Sequence, residues 1–150
     1  MLKKRLVAIT LTLIAVLNLS PAVAAVTAVC QSPTETVISL SLDPRFSYMS
    51  RIASSLSVNS LGRASCTGTF TTYDEYDSTI TMTLQQFKDG KWSSIKEWSE
   101  DYSGSGIKAL DKGYYVASGY RYRVVTVVQI WGTDGKELEK ASCDSPIYEY

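Results

Sequence analysis

The residues with the most obvious chemical potential are carboxylates, which fall into two groups. They are Asp74, Glu75 and Asp77 in the first group and Glu100 and Asp101 in the second. Two carboxylates can hydrolyse a glycosidic bond when an apolar environment keeps one of them protonated. Both groups fall in predicted loops, where solvation leaves a carboxylate ordinary. The sequence therefore favours solvated surface acids over a catalytic pair.

Histidine is absent from all 150 residues. Its absence removes the usual proton shuttle, the Ser-His-Asp and Cys-His nucleophile systems, and the commonest metal ligand. The acidic segment 74–77 also lacks the glycine-turned spacing of a dedicated calcium loop. We therefore predict no catalytic residues, no metal site, no cofactor and no enzymatic activity.

The three cysteines are Cys30, Cys66 and Cys143. They are spaced too widely for a zinc site. A single disulfide can be drawn in three ways, each leaving one thiol over, and a link to a second chain is a further alternative. Cys66 lies in an alternating strand, where a buried thiol acting as a small apolar residue is an equally good interpretation. The residues alone leave the pairing open.

Aromatic residues with a polar tip are numerous, with ten Tyr and three Trp. Flat rings of this kind stack on sugar faces and anchor protein interfaces. The candidates for a binding face, which lie beside polar residues in or near predicted turns, are Trp92, Trp98, Tyr73, Tyr76 and Tyr102. The alternative is that each Trp packs in the core and each Tyr covers its rim.

The amino-terminal segment has the organisation of a signal peptide. Three basic residues within 1–5 precede the apolar run 6–19, and Pro21 and a small-x-small pattern ending at Ala24 follow. The run has roughly 14 residues, fewer than the ~20 needed to span a bilayer. We predict cleavage after Ala24, with Ala25 and Ala28 as alternative positions, no membrane attachment afterwards, and a protein secreted to the outside of the cell.

Cleavage at this place leaves twelve basic residues against fifteen acidic ones, because the three basic residues of the signal are lost. A net charge of about −3 does not favour binding to a phosphate backbone, so we predict no nucleic-acid partner. The domain organisation that we expect is a signal peptide over 1–24, a lead-in over 25–43 and one β domain over 44–150.

Alternation of apolar and polar residues predicts strands at 63–72 and 79–85, and the segment 120–131, with largely apolar residues on both faces, predicts a central strand. Asp-Gly pairs at 89–90 and 134–135 predict hairpins. Between 92 and 98 the apolar residues are three apart, which we interpret as a strand with a bulge or a change of face. We therefore predict an all-β fold after the signal-peptide helix, an antiparallel two-sheet immunoglobulin-like sandwich of seven to nine strands.

Several short segments occur in a characteristic order. They are Arg45-Phe46-Ser47-Tyr48, Ala64-Ser65-Cys66-Thr67-Gly68, Ile80 to Gln85, Asp89 to Trp92, Ile95 to Ser99 and Gly119 to Val124. Together they resemble an uncharacterised family of small secreted β-sandwich proteins of Gram-positive bacteria, from about Pro44 to Tyr148. The resemblance implies export and a β fold, and it implies no mechanism.

A looser resemblance is to immunoglobulin-like and fibronectin type III domains. It implies that Tyr120 or Tyr122 forms a tyrosine corner at the start of the sixth strand, and that Cys66 occupies the cysteine position of the second strand. Val124 stands where the partner cysteine of an antibody domain would be, so the antibody-type disulfide is absent.

The function that we predict from these features is a secreted, non-enzymatic binding module for a cell-wall glycan or an extracellular protein. The alternatives are a secreted effector, such as an inhibitor or antibacterial factor, and a structural component of a matrix or coat. The sequence alone does not identify the ligand.

Overall fold

The computed structural model describes residues 46–150 and the backbone of residues 37–41. The predicted signal peptide and Cys30 lie outside the described residues. The described part of the chain contains no helix and nine strands, which are β1 (Val37–Ser41), β2 (Met49–Val58), β3 (Arg63–Thr72), β4 (Asp77–Lys88), β5 (Lys91–Tyr102), β6 (Gly106–Tyr115), β7 (Arg121–Trp131), β8 (Glu137–Asp144) and β9 (Tyr148–Glu149).

The strands form two antiparallel sheets. The first sheet has the order β1-β2-β3-β6, and the second has the order β5-β4-β7-β8 with β9 also paired to β7. With β3, β4, β7 and β8 in the places of strands B, C, F and G, this is the strand order of an immunoglobulin-like sandwich. The predicted fold class is confirmed. β1 lies within the segment 25–43 that the sequence suggested was a lead-in, and it pairs with β2.

Alternating burial builds the core between the sheets. In β7 every second residue from Tyr122 to Ile130 is buried, and β3 and β4 show the same period. The core contains the large side chains of Met49, Ile52, Leu56, Phe70, Ile80, Met82, Leu84, Leu110, Tyr122, Val124, Val128 and Ile130. Since successive strand residues point to opposite faces, this period leaves a complete second set of side chains on the outside of each sheet.

A β-bulge in β5 explains the spacing of its apolar residues. Leu84 of β4 pairs with Lys96 and Gln85 pairs with Ser94, so Ile95 is the additional residue on β5. Without the bulge, Trp92 and Trp98 would share a face because they are six positions apart, an even number. With the bulge, they point to opposite sides of the sheet.

The two sheets are in close contact at a small polar cluster inside the core. Thr126 of β7 donates a hydrogen bond to Ser54 of β2 at 3.0 Å, and Ser54 donates to the carbonyl of Val124 at 3.2 Å. A Cβ atom added to Gly68 of β3 would lie only 2.8 Å from the methyl group and 2.9 Å from the hydroxyl of Thr126. Glycine at 68 therefore allows the backbone of one sheet to contact a side chain of the other.

Two further contacts fix the ends of β2 and β7. The carboxylate of Glu139 in β8 accepts hydrogen bonds from the backbone amides of residues 47–49, which joins the start of β2 to the second sheet. At the opposite end, the buried Tyr122 hydroxyl donates to the carbonyl of Ala117 at 2.7 Å and accepts from Gln86. This is the geometry of a tyrosine corner. Tyr120, the other candidate, is half-buried against the core.

We expect Gly68→Ala to destabilise the protein by about 1–3 kcal/mol, because the new methyl group overlaps Thr126. Thr126→Ala removes both overlapping atoms, so the double variant Gly68→Ala/Thr126→Ala should be more stable than the two single losses predict, by about 1 kcal/mol. Urea unfolding of the four proteins measures this coupling. Additive losses would show that the sheets do not meet at this point.

Burial raises the pKa of the Cys66 thiol from 9.0 to about 12. The folded state therefore holds this proton more tightly than the unfolded chain, and the resulting stability is present in full below pH 9 and is lost as the pH rises towards 12. Between pH 8 and 10.5 the loss from this group amounts to about 2 kcal/mol. We expect the free energy of unfolding to fall less between pH 8 and pH 10.5 in Cys66→Ala than in the unaltered protein, by about this 2 kcal/mol. An identical pH dependence in the two proteins would contradict the burial of this thiol.

Candidate functional site

Three loops meet at one end of the sandwich. They are residues 73–76 between β3 and β4, residues 103–105 between β5 and β6, and residues 132–136 between β7 and β8. In the immunoglobulin-like strand order, the first and last are the B–C and F–G loops, which form part of the antigen-binding end of antibody variable domains. Loops held by a rigid scaffold are common positions for binding residues.

A cleft of about 520 Å³ lies among these loops, with Trp131 in its wall. A second cleft of about 450 Å³ shares Trp131, Asp77 and Ser103 with the first and reaches Thr79 and Asp101. Because the two clefts share these walls, we treat them as one site, which we call the Trp131 cleft. Trp131 is the last residue of β7, so the ring stands where the rigid sheet meets the loops.

A chain of hydrogen bonds holds the Trp131 ring. Its Nε1 donates to the hydroxyl of Thr79 on the neighbouring strand at 3.0 Å, and that hydroxyl donates to the carboxylate of Asp101 at 2.7 Å. The ring is half-buried. A ring whose only donor is engaged within the protein offers a ligand its remaining apolar surface in a fixed position.

The cleft is acidic. Its walls include the carboxylates of Glu75, Asp77, Asp101 and Asp134. Lys136 pairs with Asp134 at 2.7 Å, and this hydrogen-bonded ammonium holds the pKa of Asp134 below its usual value. Within the described residues, no Lys or Arg forms an ion pair with the other three acids. The cleft therefore repels anions and offers hydrogen-bond acceptors to hydroxyl or amine groups.

A buried lysine braces one wall of the cleft. Lys108 of β6 is only 8% exposed, and its ammonium donates to the carbonyl of Gly104 and, at 3.2 Å, to the hydroxyl of Thr72. It also lies 5.8 Å from the centre of the Phe70 ring. Burial lowers the pKa of this lysine. The hydroxyl of Ser103 donates to the carboxylate of Asp77 on β4 at 2.6 Å. The loop 103–105 is therefore bonded to the first sheet through Lys108 and to the second sheet through Asp77.

Two of the five predicted binding aromatics lie in the gap between β5 and β6. The Trp98 ring meets Tyr114 edge to face with 6.4 Å between their centres. Tyr102 meets Phe70 in the same way at 6.2 Å, and its hydroxyl donates to the carbonyl of Ala109. Burial and the neighbouring Glu100 raise the pKa of Tyr102. These two rings mainly cover the side of the core, although Tyr102 also reaches the Trp131 cleft.

The other three predicted aromatics are dispersed. Tyr76 lines the cleft and packs edge to face against Tyr48. Tyr73 is 58% exposed in the loop before it. Trp92 lies at the far end of the second sheet, where the guanidinium of Arg123 stands 4.5 Å from its ring centre. The structure therefore assembles no single aromatic face from the five candidates.

Sequence reasoning missed Trp131, because a strand with apolar residues on both faces indicated that this ring was covered. The available signal was its position, which is directly before the glycine that begins the loop 132–136. The position of Arg123 over Trp92 was also missed, since a strand pattern does not show which cation lies over which ring.

Cys66 is a free, fully buried thiol, and Cys143 is also buried. No disulfide occurs within the described part of the chain, and Cys30 lies outside it. Residues 46–150 contain no cluster of three or more Cys, Asp or Glu side chains arranged to hold a metal ion.

None of the described segments is a helix with the length and apolar character required to cross a membrane. No model of a known protein family matches the chain, and a search of curated proteins finds no match either. The resemblance to a secreted Gram-positive family stays a prediction.

We expect Lys108→Met to loosen the loop 103–105, because methionine fills the space without donating to Gly104. Losing this hydrogen bond lowers the free energy of local opening of the loop by about 1 kcal/mol. Chymotrypsin cleavage after Tyr102 under native conditions should then be about fivefold faster. Lys112→Met is the matched control, since Lys112 lies on the same strand and its ion pair within the described residues is with Glu100, at 3.7 Å. Equal cleavage of the two variants, with products mapped by mass spectrometry, would contradict the brace.

Proposed function

We propose that this protein is a non-enzymatic binding module that holds a neutral, hydroxyl-rich glycan in the Trp131 cleft. The observation that carries the proposal is the fixed, half-buried Trp131 ring beside several solvated carboxylates and hydroxyls. A pyranose ring has an apolar face that stacks on an indole and a rim of hydroxyls that donate to carboxylates. The cleft presents partners for both parts.

The charge of the cleft favours a neutral ligand over an acidic one. Both lysines beside its four carboxylates are already engaged, because Lys136 pairs with Asp134 and Lys108 donates to Gly104 and Thr72. An anionic polymer would have to approach these acids without a compensating cation, at a cost that increases as salt is removed. Wall glycans without charged substituents therefore fit this cleft better than acidic polymers do.

The same carboxylates do not support hydrolysis. Glu75, Asp77 and Asp101 are all exposed to solvent. A glycosidase needs one acid in an apolar environment that keeps it protonated, together with a second, ionised carboxylate. With no histidine in the sequence to take the role of proton donor, binding without turnover is the function that these residues support.

The setting of this function is part of the proposal. The amino-terminal pattern of residues 1–24 supports action outside the cell, where wall glycans are accessible. An effector or a matrix component remains an alternative that no contact among the described residues favours.

We expect Trp131→Ala to weaken retention on a neutral wall polysaccharide at least tenfold, equivalent to about 1.4 kcal/mol, in affinity electrophoresis. The loss follows from removal of the stacking surface. Trp92→Ala is the matched control, because that ring lies at the far end of the sheet beneath Arg123, and its retention should change less than twofold. Equal retention of the Trp131→Ala variant and the unaltered protein would refute the proposal, as would release of reducing ends from the polysaccharide.

A further inference from the structure

A second group of aromatic and cationic residues lies at the end of the sandwich opposite the Trp131 cleft. On the outer face of the second sheet, Phe87 of β4 is paired in register with Trp92 of β5 and with Arg121 of β7. The two rings meet edge to face with 5.2 Å between their centres. Each ring carries one guanidinium group, at 4.1 Å from Phe87 for Arg121 and 4.5 Å from Trp92 for Arg123.

The two arginines differ in how their hydrogen-bond donors are used. Arg123 donates through Nε to Gln85 and through a terminal nitrogen to Asp144, both at 2.8 Å. Its charge is therefore neutralised within the protein. For Arg121, the described residues provide the ring of Phe87 but no ion pair and no hydrogen-bond acceptor, and this includes Glu149, its register partner in β9.

An open cleft of about 490 Å³ adjoins this arginine. Its walls are formed by Phe87, Arg121 and Glu149 together with Gly119, Tyr120 and Tyr150. The exposed cross-strand pair Lys88 and Lys91 follows Phe87 at the tip of the β4–β5 hairpin. The cations Arg121, Lys88 and Lys91 outnumber the acids Asp89 and Glu149, so the local charge is weakly positive, in contrast to the acidic end where Trp131 lies.

We propose that Arg121 and this cleft form a second binding site, which takes an oxyanion group, a carboxylate or a phosphate, carried by a ligand. A guanidinium presents five N–H donors in a planar fork that matches both groups. The Phe87 ring holds the guanidinium in place and leaves its donors unused, so the site is preorganised to receive an acceptor.

The experiment follows the Nε–Hε signal of Arg121 by NMR while trigalacturonate, inorganic phosphate or the neutral sugar maltotriose is added. We expect a saturable shift with at least one of the two oxyanion probes and none with maltotriose, and the oxyanion that acts identifies the group. A shift with maltotriose, or no shift with either oxyanion, would overturn the proposal.

Three variants separate this site from general charge attraction. Arg121→Gln and Arg121→Lys should both weaken binding of the active probe at least tenfold, because lysine keeps the charge and loses the fork. Arg63→Gln, which removes one exposed arginine from the other sheet, should change it less than twofold. If Arg121→Lys bound the probe as tightly as the unaltered protein, charge alone would explain the binding and the proposed role of the guanidinium group would be wrong. Trp131→Ala should leave this affinity unchanged, so the site can fail or succeed independently of the glycan proposal.

Discussion

The close approach of the two sheets at Gly68 is the constraint on which the rest of the structure depends. Only a residue without a side chain allows the backbone of β3 to lie against Thr126 of β7. The hydroxyls of Thr126 and Ser54 then satisfy one another and the Val124 carbonyl in a space from which water is excluded. A buried polar group costs free energy unless it is paired, so this cluster is stable only in one alignment of the sheets.

That alignment determines where the loops end. The strands β3, β5 and β7 all finish at the same end of the sandwich, so the loops that follow them meet there around Trp131. The start of β2 is drawn towards the second sheet by Glu139, and Lys108 ties the loop 103–105 to the edge of the first sheet. The cleft is therefore a consequence of sheet packing, and its walls need little ordering when a ligand binds.

The sequence predicted most of the fold because alternating burial is a local signal. Residues 63–72 and 79–85 show it as alternating apolar and polar residues, and the Asp89-Gly90 hairpin adopts the positive φ angles, 53° and 77°, that the turn requires. The spacing from Trp92 to Trp98 predicted a bulge or a change of face, and the structure has a bulge at Ile95. The bulge puts the two tryptophans on opposite faces because the additional residue, Ile95, lies between them. The sequence pattern does not show which residue of the strand is the additional one.

The candidate site was less accessible from the sequence, for a physical reason. Trp131 and Thr79 are joined by a hydrogen bond across 52 positions, and the strand order that brings them together is a property of the whole chain. The same is true of Arg121 over Phe87 and of Lys108 beneath Gly104. Residue types identified acids and rings as candidates, whereas the pairing of the strands determined which of them meet.

Native-state hydrogen exchange on the purified domain tests the central claim that one inter-sheet contact locks both layers together. The backbone amides of Ser54, Gly68 and Thr126 belong to three strands in two sheets, and the account predicts that all three exchange only with the full free energy of global unfolding. If the amides of one sheet exchanged at a distinctly lower free energy than those of the other, the sheets would open separately. The alignment that positions the cleft would then have another origin.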